Sequence, residues 1–395
     1  MVLQHMFGSA DSLITIDLDA IAANWRLVDG LSAPATMTAG VVKADAYGLG
    51  ADVVAPRLAA AGCQLFFVMS LDEGVELRQN LRLAGFDGLP IFCLSGCHAG
   101  QEDAYLAHGL SPVINNLCQV ARLGMLARRH DVAIPAALHI DTGMTRLGLT
   151  PDETDWLIEH LQDGANALDG IELVYLMSHL SSAETRNATS NGQQLAAFDA
   201  LRPFFPKARA SLANSGGVLL GPPFHFDMTR PGIALYGAHP AGTSVTGVTG
   251  EQTAALQSVV RWDARILQLR HASSGEAVGY GGTRILTRDS LIATIGVGYA
   301  DGYPRCLGGI ASAQIDGHNA PIIGRISMDS MALDVTNIPE ATIRAATAVR
   351  LLGPDYDSSM MARDAGTISY EILTGLGRRP ARHYLDDSLG PHALV

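Results

Sequence analysis

The chain has 395 residues, a formal net charge of −12, 48% hydrophobic residues and 42 glycines. It exceeds one average domain of roughly 150 residues and can bury a large core, while the acidic balance argues against a nucleic-acid polyanion as the main partner. No apolar run reaches membrane-spanning length, no charged segment followed by an apolar one opens the chain, and five irregularly spaced cysteines fit reduced cytoplasmic thiols better than a disulfide framework.

Short apolar runs alternate with amphipathic stretches through the first part of the chain. Strands are expected over 38–42, 65–69, 90–94, 112–114, 136–140, 172–177, 208–212 and 225–228. Helical patterns fall between them over 53–61, 72–83, 117–129, 151–160 and 193–204. Alternating strands and helices make parallel βαβ units, and eight such strands fit a (β/α)₈ barrel better than an open sheet. A Gly-, Thr- and Val-rich stretch over 239–252 reads as a linker. Beyond it, β-rich segments over 259–269, 290–297, 311–315, 320–326 and 330–335 predict a smaller, mostly antiparallel β domain, with one amphipathic run near 338–346. The fold class is therefore α/β, with a barrel over 14–244 and a β-rich domain over 245–388. The alternating N-terminal segment, within 1–18, is a candidate to pair with the second domain.

Barrel chemistry gathers at the C-terminal ends of the strands. Lys43 follows the first strand; its compact amine, once desolvated, loses its proton readily and can form a Schiff base with a carbonyl. His139, Asp141 and Arg146 lie at and after the fifth strand, His179 after the sixth, Asn214 and Ser215 after the seventh, and Arg230, Gly232 and Ile233 after the eighth. Loops seven and eight of barrels often hold phosphate through hydroxyls and backbone N–H groups. Singly, each residue has a plainer reading: a solvated strand-end lysine, a helix cap at Asn214-Ser215-Gly216-Gly217, a core histidine, a surface arginine. Their conjunction at one end is what points to a site.

Three patterns lead nowhere. Cys93 and Cys97-His98 are spaced one residue too far apart for C-x-x-C-H, and no second pair follows at zinc spacing, so no metal is expected. Gly296, Gly298 and Gly302 miss the dinucleotide fingerprint and lack its strand-to-helix context. No G-x-S-x-G elbow occurs.

VVKADAYGLG resembles the pyridoxal-phosphate attachment site of alanine racemases. The likeness extends over about 13–384 through TIDLDAIAANW, DTGMTRLGL, MSHLSSAE, ANSGG, RPGIALYG, VGYGGTR, VGYADGYPR, GRISMDS and TISYE, in order. It implies a pyridoxal 5'-phosphate enzyme that racemises alanine with two bases. Lys43 would carry the cofactor and serve one face of the substrate; Tyr280 would serve the other, across the interface of a homodimer. Arg230 would face the pyridine nitrogen, with His179 between it and Tyr280. Tyr47, Ser215, Gly232, Ile233 and Tyr370 would surround the phosphate, beside Asn214. Arg146 and the Met328 backbone would hold the substrate carboxylate. A cytoplasmic enzyme supplying D-alanine to cell-wall synthesis, or degrading alanine, is the implied setting.

The chemistry asks for such a pair. Racemisation removes the Cα proton from one face and returns it to the other, so one base cannot suffice. Lysine and tyrosine, with free pKa values near 10, must be shifted or driven by hydrogen bonding to act near neutrality. An arginine at the ring nitrogen leaves that nitrogen unprotonated, which limits side reactions such as transamination. One departure stands out: His139 occupies a position where the family often carries a carbamylated lysine that orients the substrate arginine. Histidine forms no such stable carbamate, so Arg146 must be oriented otherwise, by another anion or a direct hydrogen bond. Ser327 likewise stands where many relatives have cysteine. The alternatives are a serine or broad-specificity racemase, a barrel decarboxylase (which would place an acid, not Arg230, at the ring nitrogen), and a single-domain, non-catalytic pyridoxal-phosphate carrier.

Overall fold

The computed structural model describes residues 7–164, 167–241, 256–346 and 348–386. The chain divides into two units, one of residues 21–256 and one of 1–20 with 257–395. The expected linker at 239–252 and the boundary at 244/245 lie almost wholly outside the described residues.

The first unit is built on parallel strands: Gly40–Val41, Phe66–Val68, Ile91–Cys93, Ser111–Ile114, Ile134–His139, Ile171–Met177 and Arg209–Ser211 pair in chain order. Phe66–Val68 and Ile91–Cys93 are buried at every position, as expected of parallel strands covered on both faces. An eighth strand, Met228–Thr229, pairs in parallel with Met37–Thr38. Asp227 N–H reaches Ala210 O at 3.0 Å and Arg230 N–H reaches Ala213 O at 2.9 Å, so the ladder returns to its first strand and closes a (β/α)₈ barrel. The eighth strand is thus later than its expected place at 225–228. Pro222–Phe224 forms a 3-10 turn and His225 caps it, because the two prolines fix helical φ there.

Local chemistry places the helices. Ser70 caps Leu71–Leu83 by accepting from Glu73 N–H, Asn116 caps Leu117–His130 through Gln119 N–H, and Thr150 with Glu153 forms a capping box ahead of Pro151–Gln162. The pattern expected at 193–204 is the helix Thr189–Leu201 followed by a 3-10 turn, Arg202–Phe204. Leu18–Gly30 and Glu102–His108 are further helices that the apolar spacing did not signal.

The second unit holds a nine-stranded sheet in the order Ile266–Ala272, Ser290–Ile295, Met331–Asp334, His318–Ile323, Ser312–Ile315, Val349–Leu352, Val260–Ala264, Ser12–Asp17, Ala381–Leu385. Ser12–Asp17 runs antiparallel to Val260–Ala264 and parallel to Ala381–Leu385. All other pairings of this sheet are antiparallel.

Candidate active site

Lys43 stands just past the first barrel strand. Val42 N–H still bonds Phe67 O at 2.9 Å, and the chain then winds left-handed: Ala44, Asp45, Ala46 and Tyr47 have φ of 53°, 56°, 50° and 59°. This conformation costs a non-glycine residue on the order of 1–2 kcal/mol, so four in succession persist only where neighbours over-determine them. Ala46 N–H bonds Val42 O at 2.9 Å and Gly50 N–H bonds Asp45 O at 3.0 Å. Asp45 Oδ1 accepts from Ala51 N–H at 2.8 Å. Glu73 Oε1 accepts from Ala44 N–H at 2.9 Å while its Oε2 accepts from Met69 N–H at 2.6 Å. One carboxylate therefore straps the Lys43 turn to the end of the second strand. The Ser70-x-x-Glu73 pattern signals a capping box, but nothing local to it signals the reach to Ala44.

Burial, then the Arg146 cation, lowers the Lys43 pKa from its ordinary value, against an upward pull from Glu73. More of the amine is neutral at a given pH, and so able to accept a proton. Tyr47, at the far end of the same turn, is buried against Tyr236 with ring centroids 4.6 Å apart. Tyr236 O–H donates to Val41 O at 2.9 Å, tying this aromatic pair back to the first strand.

Arg230 directly follows the eighth strand and is buried. Its guanidinium donates to Ser211 Oγ and, at 2.5 Å, to Ser178 O. Burial lowers its pKa to about 9, still above neutrality, so it stays a cation. Ser211 Oγ in turn donates to Met228 O at 2.8 Å. His179 is half-buried, and burial, then Arg230, Arg146, His139 and Lys43, hold its pKa well below the ordinary value. It is a neutral imidazole among cations.

Ser215 and Gly232 form a cradle. Ser215 Oγ accepts from Gly232 N–H at 2.9 Å and from Ala234 N–H at 3.3 Å. A Cβ on Gly232 would overlap the Tyr47 hydroxyl and lie 2.9 Å from Tyr47 Cζ, so the two close on one small space. Gly216 and Ile233 occupy first-turn positions of Ser215–Leu220 and Ile233–Tyr236, where an N–H has no acceptor within its own helix. Hydroxyls, free amides, a neighbouring amine and a buried cation make a donor set that fits the phosphate and ring of pyridoxal phosphate. Asn214 works as a cap, its Oδ1 taking Gly217 N–H at 2.9 Å, with Nδ2 3.4 Å from His179 Nε2.

Arg146 rides on the loop after the fifth strand and is exposed. Asp141 shapes that loop by accepting from the N–H groups of Gly143, Met144 and Thr145 at 2.9, 2.8 and 2.8 Å. Lys43, Tyr47, Arg146, His179, Asn214, Ser215, Arg230, Gly232 and Ile233 thus share the C-terminal end of one barrel.

The other three expected residues belong to the second unit. Tyr280 projects from the turn between Ala277–Val278 and Arg284–Ile285 and is 72% exposed. Met328 O accepts from Ala300 N–H at 3.0 Å, and its own N–H bonds nothing among the described residues. Tyr370 lies in the first turn of Ser369–Thr374, partly exposed. Sequence reasoning passed over Glu73, Ser211, Ser178 and Asn115, which act by holding others. Among the described residues no group of histidine, cysteine, aspartate or glutamate could hold a metal, and no helix is long and apolar enough to cross a membrane.

Residues 16–240 match the family model "Alanine racemase, N-terminal domain" and residues 259–384 match "Alanine racemase, C-terminal domain". A catabolic alanine racemase of Agrobacterium fabrum is 43% identical over 388 residues, 98% of this chain and 96% of that one. An alanine racemase of Acidiphilium cryptum is 46% identical over 370 residues, 93% of this chain and 97% of that one. The crystal structure of alanine racemase from Bartonella henselae, with covalently bound pyridoxal phosphate, superposes with a TM-score of 0.85 at 37% identity, covering 95% of this chain and 100% of that one.

Proposed function

The chain belongs to the alanine racemase family, and from that premise we propose how its own residues divide the work of interconverting L- and D-alanine. It is a pyridoxal-phosphate-dependent isomerase. Bound at the barrel mouth, the cofactor supplies an electron sink that acidifies the Cα proton of the substrate.

The observation that carries the residue assignment is the Lys43 turn: a desolvated amine, held at a strand end, beside the Ser215–Gly232 cradle and the Arg230 cation. Lys43 holds the cofactor covalently and moves the proton on one face of Cα. Tyr47 and Ser215, with the Gly232 and Ile233 amides, hold the phosphate, and the family likeness assigns Tyr370 to the same role. Arg230 would face the pyridine nitrogen and, remaining a cation at neutral pH, would keep its proton. His179 and Asn214 pack around Arg230 and the cradle. Arg146 and the Met328 N–H bind the substrate carboxylate, which fixes Cα between two faces.

Tyr280 serves the opposite face. Its exposure on its own unit supports a site shared across a homodimer, in which Tyr280 of the partner subunit completes the barrel of the first. Five cysteines that form no disulfide support a cytoplasmic setting, where the D-alanine feeds cell-wall synthesis. The similarity to a relative named catabolic favours a second role, the breakdown of alanine.

The test is an absorption spectrum of the purified protein followed by polarimetry with single L-amino acids. The expected result is a visible cofactor band and rotation of L-alanine to zero, at least about tenfold more efficiently than L-serine, since one added hydroxyl discriminates by only a few kcal/mol. Equal rates with L-serine would replace the alanine reading by the broad-specificity one. A colourless protein, unchanged by added pyridoxal phosphate, would remove the cofactor assignment.

A further inference from the structure

His139 is the last residue of the strand Ile134–His139 and is 7% exposed. Its Nδ1 lies 2.9 Å from Asn115 Oδ1. The amide of Asn115 is oriented without ambiguity, because its Nδ2 donates to two carbonyls, Leu94 O and Val113 O, each at 2.9 Å. Oδ1 is therefore an acceptor only, and Nδ1 must carry the imidazole proton. Asn115 is itself held by Gln119, whose Oε1 accepts from Asn115 N–H at 2.8 Å and whose Nε2 donates to Ser95 O at 3.1 Å.

The ring then has its lone pair on Nε2, and Nε2 has no partner among the described residues. The loop bearing Arg146 closes on this ring. Leu149 N–H bonds His139 O at 2.8 Å and Asp141 N–H bonds Leu149 O at 3.1 Å, so both ends of the loop are clasped beside it. At Gly148, φ is 103°, and a Cβ there would stand 3.2 Å from His139 Cδ2 and 2.8 Å from Asp141 N. Only glycine lets the loop lie so close to the imidazole edge that carries Nε2.

We propose that His139 is the positioning residue for Arg146: as a neutral imidazole protonated on Nδ1, it accepts a guanidinium N–H on Nε2 and aims Arg146 at the substrate carboxylate. This rests on the assignment of Arg146 to that carboxylate. A neutral acceptor orients the guanidinium without cancelling its charge, so the full cation remains for the substrate, unlike the case of an anionic partner. The charged and titratable groups facing His139 are Arg230, Asp141, Arg146 and the neutral His179. Burial first, then Arg230 and Arg146, against Asp141, lower its pKa to about 3. The lone pair is therefore present across the whole range from pH 5 to 9.

The experiment compares holoenzyme variants for KM and kcat with both alanine enantiomers, checked by cofactor absorbance and thermal midpoint. His139→Leu fills the volume without an acceptor and should raise KM about tenfold or more, the share of a charge-assisted hydrogen bond, with kcat little changed. His139→Gln, with an amide to donate to Asn115 and an oxygen to accept from Arg146, should bring KM back to within about threefold of the parent. The parent KM should not respond to removal of bicarbonate or halide. Asn115→Asp puts a carboxylate at Nδ1, favours imidazolium, and should give a raised KM that falls again as pH rises and the second proton leaves. If His139→Leu fails to fold, the Gln and Asp variants still decide. His139→Leu at the parental KM while Arg146→Ala raises it, or Gln no better than Leu, or a KM that follows added anion, would each overturn the proposal. A parental KM in Arg146→Ala would instead overturn the carboxylate assignment beneath it.

Discussion

Replacing Tyr280 with phenylalanine should lower racemisation of L- and D-alanine about 10²- to 10⁴-fold, the usual share of a positioned acid–base group. One enantiomer should nevertheless keep exchanging its Cα hydrogen with solvent deuterium. The equilibrium between mirror-image substrates is unity, so kcat/KM must fall equally in both directions and cannot reveal which face has lost its base. Exchange can. With Lys43 intact, a proton facing the lysine is still removed and returned to the same face, and this goes undetected in the polarimeter but not by mass spectrometry. Exchange surviving equally in both enantiomers would place the second base elsewhere. The same pair tests the shared site. Lys43→Ala should be inactive in racemisation and exchange alike, because anchoring and proton transfer go together. Mixed after subunit exchange with Tyr280→Phe, it should restore up to about one quarter of the sites. That is half the dimers being hybrid, with one complete site of two in each. No recovery despite exchange would make each chain self-sufficient.

Much of this arrangement is legible before any coordinates. The first barrel strand and the fifth to eighth are followed by the turns and loops that carry Lys43, Arg146, His179, Ser215 and Arg230, so the order of these residues along the chain is also their order around the barrel mouth. What is hidden is whatever depends on distant partners. Glu73 reads as a helix-cap glutamate, yet its carboxylate also bonds Ala44 N–H, 29 residues away. Ser211 and Ser178 look like ordinary strand-end residues until Arg230 is seen buried between them. The left-handed run through Ala44–Tyr47 is the clearest failure of local signal. Alanine and tyrosine have no preference for that conformation, and contacts such as the strap from Glu73 and the clasp of Asp45 hold it. His139 is intermediate: its identity announced a departure from the family pattern, but its protonation state became readable only through the two carbonyls that orient Asn115. The second unit was legible as β-rich from its alternation, whereas the helices Ser358–Ala365 and Ser369–Thr374 were not.

Gly232→Ala should weaken cofactor binding about 5- to 150-fold, the effect of forcing one methyl into a packed site at about 1–3 kcal/mol. The backbone at Gly232 has a negative φ, −121°, and the close approach of Tyr47 makes the penalty a steric one. The added methyl would overlap the Tyr47 hydroxyl and press on Tyr47 Cζ. Tyr47 cannot simply swing aside. Its ring is packed on Tyr236, and its backbone lies in the left-handed turn that begins beside Lys43. Displacement is therefore passed in two directions: to the phosphate cradle, because Gly232 N–H is tied to Ser215 Oγ, and along the turn to the lysine amine. Cofactor affinity and kcat should fall together, which a defect confined to the phosphate would not produce. Tyr47→Phe removes the hydroxyl that the new methyl meets, so the double variant should recover part of the lost affinity, and the two substitutions should be non-additive by a measurable margin. Titrating the apoprotein with pyridoxal phosphate and following the visible band gives the dissociation constants directly. Parental affinity in Gly232→Ala, or strict additivity in the double variant, would mean that Tyr47 and Gly232 do not close on the same space when the cofactor is held.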